Sequence, residues 1–114
     1  MAGQRMRRVN EAVREVLSEA IAEGLKDPRI GFVTVTSVET TADLRQARVF
    51  VSVLGGDKEK QDTLAGLERS RGYLQSLIGT QLSLKWTPQL TFVRDESIDY
   101  GFHIEKLLKD IEQK

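Results

Sequence analysis

Apolar residues at Val9, Val13, Val16, Leu17, Ala20, Ile21 and Leu25 recur every three or four positions, a spacing that lines one side of a helix for burial. Asp27-Pro28-Arg29-Ile30-Gly31 breaks that period, and Val33-Thr34-Val35-Thr36 opens a β-branched stretch. Pro28 disfavours the α region at Asp27 and has no N–H to continue the ladder. The pattern therefore predicts a long helix that stops at this run and hands directly to a strand.

Downstream, Ala47, Val49, Val51 and Val53 alternate with Arg48, Phe50, Ser52 and Leu54, the period of two expected of a second strand. The polar connection from Thr40 to Gln46 is too short for a crossover helix, so the two strands should pair as an antiparallel hairpin. Gly55-Gly56-Asp57 ends that strand. Helical spacing returns between Lys58 and Ile78, with Leu64, Leu67, Leu74, Leu77 and Ile78 as the apolar side. Ser70-Arg71-Gly72 interrupts it, and a helix-interior glycine costs about 1 kcal/mol relative to alanine, so the helix should kink or divide there. Leu90, Phe92 and Arg94 alternate with Thr91, Val93 and Asp95 as a third strand, with Pro88 at its start. Ser97 is placed to cap a last helix carrying Ile104, Leu107, Leu108 and Ile111. Three strands with one apolar face need helices over them, so the expected class is an α+β two-layer sandwich.

A chain of 114 residues fits a single domain, 1–114. Its 39% hydrophobic and 30% charged content is that of an ordered protein. No apolar run approaches the roughly 20 residues of a membrane span, and the N-terminus lacks a signal peptide's apolar core, so the expected address is cytoplasmic. The absence of cysteine excludes disulfides, thiolate chemistry and sulfur-based zinc sites. One histidine, His103, has no second histidine to complete a metal or base pair, and a helix-surface role is favoured for it. No pair of carboxylates stands at a diagnostic spacing, and Asp43, Asp95 and Asp99 are accounted for by turns and caps. Neither an enzyme nor a cofactor is expected.

The formal charge is zero, with 17 basic and 17 acidic side chains, so distribution carries the information. Arg5, Arg7 and Arg8 precede every acid, while Glu15, Glu19, Glu23 and Asp27 crowd the other end of the first helix. That order opposes the helix macrodipole, at about 0.3–1 kcal/mol for each misplaced charge. A phosphate-bearing partner explains it better than helix stability does, although an Arg7–Glu11 pair one turn apart is the simpler alternative.

Arg7-Arg8-Val9, Asp27-Pro28-Arg29-Ile30-Gly31 and Val33-Thr34-Val35-Thr36 occur in order along the chain. Asp43-Leu44 with Ala47, Val51-Ser52-Val53-Leu54-Gly55, and Pro88, Leu90, Phe92 and Asp95 complete the series. Together they resemble the bacterial ribosome-binding factor A family over essentially the whole length. The resemblance implies a KH-like fold of the second type, α-β-β-α-kink-α-β plus a C-terminal helix, on a three-stranded mixed sheet. It further implies a monomeric, non-enzymatic factor that binds the free or immature 30S subunit. Such a factor would assist late assembly and 16S rRNA processing, notably in the cold, alongside small-subunit ribosomal proteins and an assembly GTPase. Ordinary KH domains clamp nucleic-acid backbone with Gly-x-x-Gly; the family has an Ala-x-Gly kink instead, and this chain has Ser70-Arg71-Gly72.

The candidate RNA contacts are Arg5, Arg7, Arg8, Arg45, Arg48, Arg69, Ser70, Arg71, Gly72 and Lys85. Arg45 and Arg48 fit a solvated sheet edge as well as an RNA-facing one. Arg69 and Arg71 flank the kink, where free helix N–H groups and positive charge would coincide. Trp86 and Phe50 are able to stack on unpaired bases, though burial in the core is the commoner fate of such aromatics. The rival class is a protein-interaction module using the acidic end of the first helix and the C-terminal helix.

Overall fold

The computed structural model describes residues 2–95 and builds them as α1 (Ala2–Glu23), β1 (Val33–Thr40), β2 (Gln46–Val53), α2 (Asp57–Arg69), α3 (Arg71–Gln81) and β3 (Gln89–Arg94). This is the α-β-β-α-kink-α-β order expected. The C-terminal helix expected after Ser97, with Asp99 and His103, lies outside the described residues.

The sheet order is β1-β2-β3: β1 pairs antiparallel with β2, and β2 pairs parallel with β3. The sheet is thus mixed. Ala47, Val49, Val51 and Val53 all point to one face, together with Leu90 and Phe92 of β3. In β1 the alternation slips, because the register shifts between Val35 and Ser37. That bulge lets Val35 and Val38, three apart, both reach the core. Over this face lie Val13, Val16, Leu17 and Ala20 of α1, Leu67 of α2, and Leu74 and Ile78 of α3, forming one apolar cluster. Burying each of these valine, leucine and isoleucine side chains contributes roughly 1.5–3 kcal/mol.

One boundary differs from the sequence reading. Pro28 does not end α1; the helix stops at Glu23, because Gly24 takes φ +96° and its N–H bonds back to the Ile21 carbonyl at 3.1 Å. Asp27 to Gly31 is instead a loop latched to α2. Within it the Arg29 N–H donates to Asp27 Oδ1 at 2.9 Å and the Ile30 N–H to the Asp27 carbonyl at 3.1 Å. Across from it, the Gly31 N–H donates to the buried Thr63 hydroxyl at 3.1 Å. Gly66 of α2 packs so closely here that an added Cβ would stand 2.5 Å from Ile30 Cγ1. The kink falls at Ser70, within the Ser70-Arg71-Gly72 interruption expected. The Ser70 N–H closes α2 on Gly66 and Leu67, and its carbonyl accepts from Leu74 in α3 at 2.9 Å. Gly72 sits inside α3 with open space where a Cβ would go.

Pro88 is buried immediately before β3, as its missing N–H requires. β3 is an edge strand, and its Leu90 N–H is satisfied by Gln75 Oε1 of α3 at 3.1 Å.

Candidate nucleic-acid interface

Three chain segments meet at the hairpin-turn end of the sheet. The turn itself is stiff: Thr41 N–H bonds the Gln46 carbonyl at 2.8 Å, and Gln46 N–H bonds the Thr41 hydroxyl at 3.1 Å. Leu44 adopts φ 63° with its side chain buried. A left-handed leucine costs about 1–2 kcal/mol, offset here by that burial. Asp43 accepts from the Thr41 hydroxyl at 2.6 Å and from the Arg45 N–H at 3.1 Å. The Thr41 hydroxyl first, then the Arg45 N–H, holds the Asp43 carboxyl below its ordinary pKa.

A hydrogen bond joins each of the other two segments to this turn, in addition to the sheet pairing and core packing that hold them. The Gln89 N–H donates to the Arg45 carbonyl at 2.8 Å, which brings the α3–β3 loop with Lys85 and Trp86 alongside. Asn10 Oδ1 of α1 accepts from the Thr40 N–H at 2.9 Å, which brings the start of α1. Between the three lies a cleft of about 500 Å³, walled by Arg5, Met6, Asp43, Arg45, Lys85 and Trp86. The Arg45 guanidinium stands 4.5 Å from the centre of the Trp86 ring. Trp86 is 44% exposed, so it is a surface residue of the cleft and not the core residue that its type favours. Three cations against the single Asp43 carboxylate leave two net positive charges in the wall.

Arg7 and Arg8 are exposed on the same end of α1, which has no acidic residue in its first turn. Arg7 does not pair with Glu11. That carboxylate is held by Arg14 at 2.8 Å, and the hydrogen bond from Arg14 lowers its pKa. Arg48 lies on the sheet face away from the helices, bound to Glu39 at 2.6 Å and 5.7 Å from the Phe50 ring centre. Phe50 is half-buried on that face. At the kink Arg71 is half-buried and ion-paired with Glu68, whereas Arg69 is exposed. Ser70 is half-buried and Gly72 exposed. The kink sits at the opposite end of α3 from Lys85 and Trp86, an α-helix of 11 residues away, or about 16 Å. The structure therefore gathers Arg5, Arg45 and Lys85 into one cleft and sets the kink residues apart from it.

The sequence reading missed Met6 as a wall of the cleft and left Trp86 with the core. Nothing in the sequence pattern signals that Thr40 to Gln46 and Ser83 to Thr87 meet at one sheet end; the β2–β3 pairing brings them there. Asp43 has the turn duty expected of it. Asp95 accepts from the Thr36 hydroxyl at the β1 bulge at 2.8 Å. Glu15, Glu19 and Glu23 are exposed at the far end of α1, and Asp27 is half-buried in its loop. Among the described residues no group of acids and histidine is placed to hold a metal, and no helix is long and apolar enough to cross a membrane.

A family profile described as ribosome-binding factor A matches residues 5–108. A ribosome-binding factor A of Brevibacillus brevis is 49% identical over 107 residues, 94% of this chain and 88% of that one. The solution structure of a Thermotoga maritima protein, described as a ribosome binding factor A, superposes with a TM-score of 0.70 at 34% identity, covering 78% of this chain and 85% of that one. A homology model of the Thermus thermophilus ribosome binding factor A, as fitted into a cryo-EM map of a 30S complex with that factor, has the same fold, with a TM-score of 0.61 at 24% identity over 74% of this chain and 88% of that one.

Proposed function

This chain belongs to the ribosome-binding factor A family, and on that premise we propose that it binds the free or immature 30S subunit and assists late assembly and processing of 16S rRNA. It acts as a monomeric, single-domain cytoplasmic binding factor, catalyses no reaction, and matters most in the cold, when misfolded rRNA is slowest to rearrange. The cleft at the hairpin end supports this reading more than any other feature. A chain with no net charge has concentrated Arg5, Arg45 and Lys85, with Arg7 and Arg8 beside them, at one end of the molecule. Phosphate contacts of this kind position a protein on RNA, and shape supplies the selectivity.

Gradient sedimentation of the tagged chain with cell extract tests the reading. The chain should travel with free small subunits and leave joined ribosomes empty. Equal occupancy of joined ribosomes, or a position at the top of the gradient, would contradict it.

A further inference from the structure

Resting on that reading of the cleft as an RNA contact, we propose that it takes one unpaired nucleotide, with the base stacked at Trp86 and the flanking phosphates on Arg5 and Lys85. Two arginine–aromatic pairs occur among the described residues, and their surroundings differ. Arg48 over Phe50 is committed to the Glu39 carboxylate at 2.6 Å, so its charge is already matched. The Arg45 guanidinium faces the Trp86 ring and, among the described residues, forms no direct ion pair; Asp43, whose charge it feels at longer range, is bonded to the Arg45 backbone N–H and the Thr41 hydroxyl. Arg45 is therefore free to swing aside or to cap a base laid on the indole, giving a cation–aromatic slot.

The shape selects the class of ligand. A volume of about 500 Å³ is that of a small-molecule pocket, within the usual range of about 300–1,000 Å³. It admits a nucleotide and not a helix. Paired bases are already stacked and present no free face, so a half-exposed indole gains nothing from a duplex. Arg5 and Lys85 approach from different segments across the cleft, as neighbouring phosphates on a splayed-out strand require. The nucleotide is one held in an RNA strand, because its flanking phosphates use cations that a lone nucleotide leaves unfilled.

Trp86 is the only tryptophan, so its fluorescence reports this cleft and nothing else. The full chain is titrated with a single-stranded RNA oligomer, a hairpin RNA of equal length whose stem pairs nearly all its bases, and a mononucleotide, while small-subunit binding is measured in parallel. The single strand should quench the emission at saturation, the hairpin should bind in a salt-dependent way without quenching, and the mononucleotide should need far higher concentrations. Trp86→Ala should weaken single-strand binding about five- to hundred-fold and leave hairpin binding within about twofold. Trp86→Phe should retain most of it. If the alanine variant does not fold, the emission of the native protein still decides. Unchanged emission with the single strand, while subunits bind, would overturn the nucleotide assignment and leave the ribosomal reading standing. Equal saturation by the mononucleotide would overturn the assignment to an RNA strand. Failure to bind subunits at all would instead remove the reading on which the proposal rests.

Discussion

Single side chains do two kinds of work in this molecule, and each predicts its own outcome. Thr63 is buried and takes the Gly31 N–H, anchoring the Asp27–Gly31 loop on α2. Thr63→Val keeps the shape and removes the acceptor, so it should cost about 1–2 kcal/mol, seen as a melting temperature lower by roughly 5–10 °C. An unchanged melt would mean that water replaces the hydroxyl. Asp43 opposes phosphate in the cleft while its oxygen holds the turn. Asp43→Asn keeps that acceptor and removes the charge. At a separation on the order of 8 Å in water one charge contributes ~0.5 kcal/mol, so RNA binding should tighten about twofold at low salt in a filter-binding titration. Weaker binding would place the RNA elsewhere. The turn duty of Asp43 was legible in the sequence, whereas the roles of Thr63 and Leu44 were not. Thr63 looks like any threonine on a helix, and the left-handed Leu44 that shapes the turn has no glycine or asparagine to announce it.

The elements themselves were legible, because apolar period and chain breaks report directly on burial. The hairpin, the divided helix and the placement of Pro88 all follow from the apolar period and the positions of glycine and proline. What misled was the weight given to Pro28. Gly24, an ordinary residue within the helical spacing, ends α1 because its φ of +96° is open to glycine at little cost. The β1 bulge was equally hidden, since Val35 and Val38 read as out of phase in a flat strand. The elements also fix how the cleft assembles. Asn10 adds a hydrogen bond from α1 to the hairpin beside their apolar packing, close to the Arg5 end of the helix. Asn10→Ala should cost about 1 kcal/mol in stability and should weaken RNA binding although Asn10 is no part of the cleft wall, because Arg5 then loses its fixed position opposite Arg45. Loss of stability with undiminished affinity, in paired melting and binding measurements, would show that α1 takes no part in the contact.

Across the whole molecule, charge is sorted along α1, whose 22 residues span about 33 Å. Arg5, Arg7 and Arg8 stand at the cleft end, and Glu15, Glu19 and Glu23 point into solvent further along the helix. Net charge alone would have argued against an RNA partner. Sequence order showed the sorting within one helix, but only tertiary structure joins it to Arg45 and Lys85, which are distant in the chain. With about three phosphates neutralised, affinity for small subunits should fall roughly 20- to 40-fold between 50 and 200 mM salt. The decisive measurement is the affinity of purified small subunits for two variants of equal net charge. One reverses Arg5, Arg45 and Lys85 to glutamate; the other reverses Lys26, Arg29 and Lys58, which are exposed away from the hairpin end. The cleft variant should lose at least tenfold in affinity and most of its salt dependence, with the second variant close to wild type. Equal losses in both, or full binding by the cleft variant, would contradict attachment through the hairpin end.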